Sequence, residues 1–174
     1  MSLHLIIDGY NLIRTSLSLS RQESLGLQEG RKALLERLAA YKRIKALPIT
    51  VVFDAAGGYN LLEKTERQAG VQVVFSSVGQ TADDVIARLA EKKGTKALVV
   101  TSDRELAARV EKKGAAAVAS EVFEDRMELA FYLETKGLEE EVEEAPGVIC
   151  PAKKGPGKRK PKAVRQREAR VRKI

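Results

Sequence analysis

The chain has 174 residues and a formal net charge of +7; 44% of its residues are hydrophobic, 5% are aromatic and none is Trp. This length and composition predict one domain with an aliphatic core and a short extension, and the single Cys150 excludes a disulfide within the chain. With neither a basic N-terminal segment nor an apolar stretch of membrane-spanning length, we expect a soluble cytoplasmic protein without a membrane partner.

Short apolar runs alternate with stretches of helical periodicity along the first part of the chain. The predicted strands are residues 3–7, 49–53, 71–76, 97–101 and 115–119. The predicted helices are residues 30–46, 81–93, 103–113 and 121–136, and residues 57–70 are predicted to form a loop or a short helix. Strands rich in Val, Ile and Leu are typical of a parallel sheet that is buried on both faces. The alternation therefore predicts an α/β fold, with a doubly wound and mostly parallel sheet of five strands.

Aspartates fall where the predicted strands end. Asp8 ends the first strand, Asp54 the second and Asp103 the fourth, while Asp83 and Asp84 open the helix after the third. Because right-handed crossovers bring the carboxyl ends of parallel strands to one edge, these side chains should lie close together. Taken singly, these residues also fit structural roles. Asp8 and Asn11 could form an Asx-turn, Thr81 with Asp84 and Ser102 with Glu105 match a capping box, and acids are favoured in the first turn of a helix.

Carboxylates that converge at one sheet edge point to a bound cation. At low dielectric they repel each other by several kcal/mol, so one would stay protonated unless a metal ion neutralised the group. Oxygen ligands, without a suitable His or Cys, favour Mg²⁺ or Mn²⁺ over Zn²⁺. Such an ion polarises a phosphodiester and activates a water molecule, so the expected chemistry is phosphodiester hydrolysis.

Other sites known on this class of fold do not match the residues present. A dehalogenase-type phosphatase needs an acid where Tyr10 stands, and the turn after the first strand lacks the glycines of a dinucleotide-binding loop. A Walker-type phosphate loop is absent from the sequence. A receiver domain needs adjacent acids at the first strand and a Lys after the fifth, and Ile7-Asp8 and Ala119-Ser120 supply neither.

Four short motifs, in order and at matching strand ends, resemble the YacP-like branch of the NYN-domain proteins, which are PIN-like ribonucleases. The motifs are Asp8-Gly-Tyr-Asn11, Phe53-Asp54, Thr81-Ala-Asp83 and Thr101-Ser-Asp103. The resemblance implies a three-layer NYN domain over residues 1–137. It also implies a hydrolase, a metal-dependent endoribonuclease that uses Mg²⁺ or Mn²⁺ and cleaves messenger RNA, including RNA on translating ribosomes.

The resemblance also implies roles for individual side chains. Asp8, Asp83 and Asp103 would be metal-binding acids, Asp54 a fourth, and Asn11 an orienting side chain, so that all five form the catalytic site. The neighbours Asp83 and Asp84 lie about 100° apart around a helix, so only one should face the metals, and the family pattern favours Asp83.

The basic charge of the chain is concentrated after residue 152. Residues 138–152 form a predicted linker with an acidic run, whereas residues 153–173 hold eleven Lys or Arg and one acid, Glu168; the rest of the chain holds twenty basic and twenty-three acidic residues. We predict that residues 153–174 are a disordered tail that contacts RNA. Its candidate contacts are Lys153, Lys154, Lys158, Arg159, Lys160, Lys162, Arg165, Arg167, Arg170, Arg172 and Lys173. The alternative function is a catalytically weak RNA- or ribosome-binding module, in which this tail binds and the acids are remnants.

Overall fold

A mixed, mostly parallel sheet lies at the centre of the protein. The computed structural model describes residues 3–55, 62–137 and 162–174. Within these ranges the strands are β1 (His4–Asp8), β2 (Ile49–Phe53), β3 (Lys64–Gln68), β4 (Val71–Phe75), β5 (Ala97–Val100) and β6 (Ala116–Val118). Their order is β3-β4-β2-β1-β5-β6, and every neighbouring pair is parallel except β3 with β4. The α/β class is confirmed, but the prediction of five strands is wrong, because the described residues form a sheet of six.

The additional strand, β3, lies at the edge of the sheet within residues that were expected to form a loop or short helix. Its sequence, Lys-Thr-Glu-Arg-Gln, lacks apolar residues, and most of its side chains are exposed. Charged residues suit an edge strand, because they discourage pairing with another chain. Ala69 and Gly70 connect β3 to β4 with φ values of 48° and 82°. Positive φ at both central residues is the geometry of a tight hairpin turn.

Helices cover both faces of the sheet. They are α1 (Gly9–Thr15), α2 (Leu17–Glu23), α3 (Leu27–Lys45), α4 (Ala82–Lys93), α5 (Arg104–Lys112), α6 (Ser120–Lys136) and α7 (Lys162–Val171). The apolar side chains of α1, α2, α3 and α6 form one core cluster, and those of α4 and α5 form a second on the opposite face. This is the expected three-layer arrangement. No helix in the described ranges has the length and apolar character needed to cross a membrane.

For residues 162–174, the described part of the predicted tail, the prediction of disorder is wrong. Residues 162–171 form α7, and the side chain of Ile174 is fully buried in the core cluster that also contains Tyr41. The Tyr41 hydroxyl donates to the carbonyl oxygen of Ile174 at 2.9 Å, and Arg167 Nε donates to the carbonyl of Ala117 at 3.0 Å. Val171 and Ile174, which lie among the arginines, therefore pack this segment against the core. The predicted linker, 138–152, and residues 153–161 lie outside the described residues.

Candidate active site

An acidic cleft opens at the carboxyl ends of β1 and β2. It has a volume of about 450 Å³, and Asp8, Asp54 and Asp83 are among the residues that line it. These three carboxylates come from the end of β1, the residue after β2 and the first turn of α4. The structure thus brings together three of the four acids that were predicted to bind metal. Asp103 is not among the residues that line the cleft.

Asp8 joins the end of β1 to the start of α1. Its Oδ1 accepts a hydrogen bond from the backbone N–H of Asn11 at 3.2 Å, and its Oδ2 accepts one from Thr101 Oγ1 at 3.4 Å. Burial raises the pKa of Asp8 from the usual 3.8 to about 6, and the charges of Asp83 and Asp54 act in the same direction, against these two hydrogen bonds. A raised pKa means that the site holds its negative charge at a free-energy cost.

Asp54 is held against the first turn of α4. Its Oδ1 accepts hydrogen bonds from the backbone N–H of Ala82 at 2.6 Å and from Ser76 Oγ at 3.3 Å. Ser76 is buried and its hydroxyl also accepts from the backbone N–H of Ala55 at 3.0 Å. These bonds fix the end of β2 relative to the helix that carries Asp83.

The neighbouring acids Asp83 and Asp84 lie in different surroundings. Burial raises the pKa of Asp83, and the charges of Asp103 and Asp54 raise it further. Asp84 points to solvent, where it forms an ion pair with Arg109 at 2.7 Å. The hydrogen bond from Arg109 lowers the pKa of Asp84, and hydrogen bonds to Thr81 lower it further. Asp83 therefore belongs to the cleft, whereas Asp84 belongs to the surface of α4.

Asp103 and Asn11 make structural hydrogen bonds at the loop after β5. Asp103 caps α5, because its Oδ1 accepts from the backbone N–H groups of Glu105 at 2.7 Å and Leu106 at 3.1 Å. Asn11 lines the cleft, but its amide oxygen accepts from the backbone N–H of Ser102 at 2.9 Å and from Ser120 Oγ at 2.7 Å. The side chain of Asn11 thus ties α1 to the β5–α5 loop and to α6.

Two residues of the cleft, Tyr10 and Arg14, were not predicted from the sequence. Arg14 is 68% exposed, lies 3.9 Å from Glu23 Oε1, and has its guanidinium carbon 5.5 Å from the centre of the Tyr10 ring. The spacing of four residues places both side chains on one face of α1. Their signal was missed because α1 itself was not predicted, so no face could be assigned.

The residues of the cleft fit an open metal site better than a closed one. In the described ranges, no group of three or more His, Cys, Asp or Glu is arranged to hold a metal ion. The acidic side chains that line the cleft are nevertheless carboxylates. The pKa of both Asp8 and Asp83 is raised, so it costs free energy to ionise these carboxyl groups together without a cation. Mg²⁺ is usually bound by one or two carboxylates, with water and substrate phosphates as the remaining ligands. This donor set fits such a partly hydrated ion.

Comparisons with known proteins agree with this fold. The profile of the YacP-like NYN domain family matches residues 5–147. The uncharacterized protein YacP of Bacillus subtilis (strain 168) is 33% identical over 102 residues, which are 57% of this chain and 59% of the relative, so the match spans less than two thirds of the relative's length. A crystal structure of Rae1 (YacP) from Bacillus subtilis superposes with a TM-score of 0.65 and 27% identity, covering 79% of each chain. A mutant form of the same protein gives a TM-score of 0.66 and 25% identity, covering 78% of this chain and 80% of that one. This chain therefore belongs to the YacP-like NYN domain family.

Proposed function

We propose that this protein is a metal-dependent endoribonuclease, which hydrolyses internal phosphodiester bonds of RNA in the presence of Mg²⁺ or Mn²⁺. Its family is nuclease-like, and the fold matches that family. The observation that carries the proposal is the acidic cleft, in which Asp8, Asp54 and Asp83 from three separate elements line one cavity. Acids gathered in this way, with the pKa of Asp8 and of Asp83 raised, are typical of functional sites.

Each side chain of the cleft has a task under this proposal. Asp8 and Asp83 would hold the cation, and Asp54 fixes the helix turn that presents Asp83. A bound divalent ion would polarise the phosphodiester and lower the pKa of an attacking water. The exposed guanidinium of Arg14 is suited to a phosphate oxygen, because it donates in a planar fork. Asp103 acts from outside the cleft, through its charge on Asp83.

The substrate that we propose is messenger RNA in the cytoplasm, including RNA on ribosomes. The described part of the basic segment supports a polyanionic substrate, since Arg165, Arg172 and Lys173 are exposed around α7. Arg167 is less available, because it already binds the carbonyl of Ala117 and lies 3.4 Å from Glu111. Charge-driven contacts of this kind bind RNA with little regard to sequence.

A second candidate is a catalytically weak RNA-binding module with the same fold. The observation in its favour is that the acids of the described residues do not form a closed metal-binding group. Under this alternative the basic residues bind RNA, and the cleft cuts slowly or not at all.

An RNA-cleavage assay separates the two candidates. End-labelled single-stranded and hairpin RNAs are incubated with the full-length protein in Mg²⁺, in Mn²⁺ or in EDTA, and the products are mapped. The endoribonuclease proposal predicts internal cuts that require metal and that Asp8→Asn abolishes, which also excludes a contaminating nuclease. RNA binding without metal-dependent cuts would reject the enzyme and support the binding module.

A further inference from the structure

A second depression lies beside the acidic cleft, between α3 and the strands β3 and β4. Its volume is about 390 Å³, and it is lined by Arg31 and Lys32 of α3, Lys64 of β3 and Phe75 of β4, among others. Alternate residues of β3 contribute to its wall, because residues two apart on a strand share a face. We call this depression the basic groove.

The basic groove and the acidic cleft share a wall. Phe53 and Ala55 line the groove, whereas Asp54, between them in the chain, lines the cleft. Tyr10 of the cleft accepts a hydrogen bond from Arg31 Nε of the groove at 2.8 Å. Asp54 and Ala55 are consecutive residues, so their Cα atoms lie about 3.8 Å apart. The two depressions are therefore adjacent, and neighbouring nucleotides of one strand can reach both.

Arg31 forms a planar, aromatic-backed platform in the groove. Its guanidinium carbon lies 5.4 Å from the ring centre of Tyr10, 5.5 Å from that of Phe53 and 5.3 Å from that of Phe75. The rings of Phe53 and Phe75 are stacked with centres 5.8 Å apart, and Phe75 is only half-buried. Nucleobases stack on aromatic rings and on Arg planes held in this way.

The charge of the basic groove is opposite to that of the cleft. Lys32 is exposed, and the side chain of Lys64 is 61% exposed. Lys64 lies 3.1 Å from Glu66, the one acid among the lining residues, in an exposed ion pair that a phosphate can displace because such pairs contribute little. Exposed ammonium groups beside a stacking platform are the combination that single-stranded nucleic acid binding requires. Packing of α3 on the sheet accounts for the buried part of Arg31, but it does not require two exposed lysines at the rim.

We propose that the basic groove binds the nucleotide next to the cleaved phosphodiester of a single-stranded RNA. The base stacks against Arg31 and Phe75, and Lys32 and Lys64 contact the flanking phosphates. The position relative to a cleaved bond rests on the proposed function. The affinity of the groove for RNA does not, because it is measured without cleavage.

The charge contribution is tested by fluorescence anisotropy with a labelled single-stranded RNA oligonucleotide, in EDTA, at several salt concentrations. The double variant Lys32→Ala/Lys64→Ala removes two phosphate contacts, each of which contributes about −0.7 to the slope of log K against log salt. Its slope should be flatter by about 1.4, and its affinity at ~0.1 M salt should be about 25-fold lower. The matched control is Lys92→Ala/Lys96→Ala, which removes two exposed lysines at the end of α4 and just before β5. The control should bind as the wild type does.

The stacking contribution is tested with Arg31→Lys and with RNAs that lack one base. Lys keeps the charge but not the plane, so Arg31→Lys should bind intact RNA at least about fivefold more weakly, as expected for loss of one stacked base. Removing the stacked base should weaken the wild type to the same extent and weaken Arg31→Lys no further. Independent losses at every abasic position would contradict stacking on Arg31.

The outcomes distinguish this inference from the proposed function. Wild-type affinity and salt slope in Lys32→Ala/Lys64→Ala, or no RNA binding by the wild type, would overturn the basic groove. Metal-dependent cutting by the same preparations would then still support the endoribonuclease. Conversely, the predicted losses of affinity in a protein that never cuts RNA would confirm the groove as an RNA site and reject the enzyme.

Discussion

The carboxyl group of Asp8 links the site to folding stability. Its pKa rises from 3.8 to about 6 in the folded protein, mainly because it is buried. The folded state therefore holds this proton more tightly than the unfolded chain does. The resulting contribution to stability is complete below the unfolded pKa and is lost as the pH rises through the folded pKa.

Replacing this carboxyl should stabilise the metal-free protein at neutral pH. Asn can still cap α1, so Asp8→Asn removes the ionisation cost without removing the hydrogen bond to Asn11. In EDTA at pH 7 the variant should gain up to about 3 kcal/mol, and the gain should fall below ~1 kcal/mol at pH 4. Urea unfolding between pH 4 and 8 measures it, with Asp84→Asn as the control that should show no gain. If the free energy of unfolding depended on pH in the same way for Asp8→Asn and the wild type, the raised pKa of a buried Asp8 carboxyl would be contradicted.

The adjacent acids of α4 provide an internal comparison of activity. Asp83 lines the cleft and Asp84 pairs with Arg109 at the surface. We expect Asp83→Asn to lower the rate of RNA cleavage at least about a hundredfold, equivalent to ~2.7 kcal/mol of transition-state stabilisation. Asp84→Asn should cleave RNA within a few-fold of the wild-type rate and change stability little, because exposed ion pairs contribute little to folding. Single-turnover rates in Mn²⁺ measure this difference. A larger loss of activity in Asp84→Asn than in Asp83→Asn would mean that the metal binds on the Asp84 side of α4.

For single residues, the sequence predicts where a side chain lies in the fold better than it predicts which atoms that side chain contacts. The ends of apolar runs located Asp8 and Asp54 correctly, because strand ends in a parallel sheet share an edge. The contacts of Asp103 and Asn11 could not be predicted in the same way. A carboxylate that caps α5 and an amide that joins three segments depend on where helices begin and how loops approach each other.

Among the elements, those with a strong apolar pattern were predicted and the others were not. β3 has no apolar residue, and α1 and α2 are only seven residues each, too short for a clear helical period. The segment with α7 is dominated by basic residues, and this composition concealed Val171 and Ile174, the apolar residues that pack against the core. Its order depends on tertiary contacts, such as the hydrogen bond from Tyr41 to Ile174, rather than on local pattern.

The anchoring of α7 leads to a stability prediction. The side chain of Ile174 is fully buried, so Ile174→Ala should cost about 2–4 kcal/mol of the free energy of unfolding. Lys173→Ala, at an exposed position next to it, should change stability by less than ~0.5 kcal/mol. Chemical denaturation of both variants measures the difference. Equal midpoints would mean that this segment does not pack against the core in solution.

For the whole molecule, the negative charge of the acidic cleft predicts that divalent metal ions stabilise the folded protein specifically. A cation that binds only the folded protein stabilises it by about 2.7 kcal/mol at a concentration of 100 times the Kd, which corresponds to ~5 °C or more in Tm for a chain of this size. Mn²⁺ or Mg²⁺ should therefore raise the Tm of the wild type but not that of Asp8→Asn. Thermal unfolding with KCl at matched ionic strength is the control. An equal rise in both proteins, or in KCl, would indicate a general salt effect and not a metal site.

The central claim is that the acidic cleft, with bound metal, cuts RNA. Its most direct test is the single-turnover rate of cleavage of one labelled single-stranded RNA in Mn²⁺ by the wild type, Asp8→Asn and Lys92→Ala, all purified identically. We predict internal cuts at the same rate by the wild type and Lys92→Ala, complete inhibition by EDTA, and no cuts by Asp8→Asn beyond the background without protein. Cleavage by Asp8→Asn at the wild-type rate, or uncut RNA with the wild type in both Mn²⁺ and Mg²⁺, would contradict the claim.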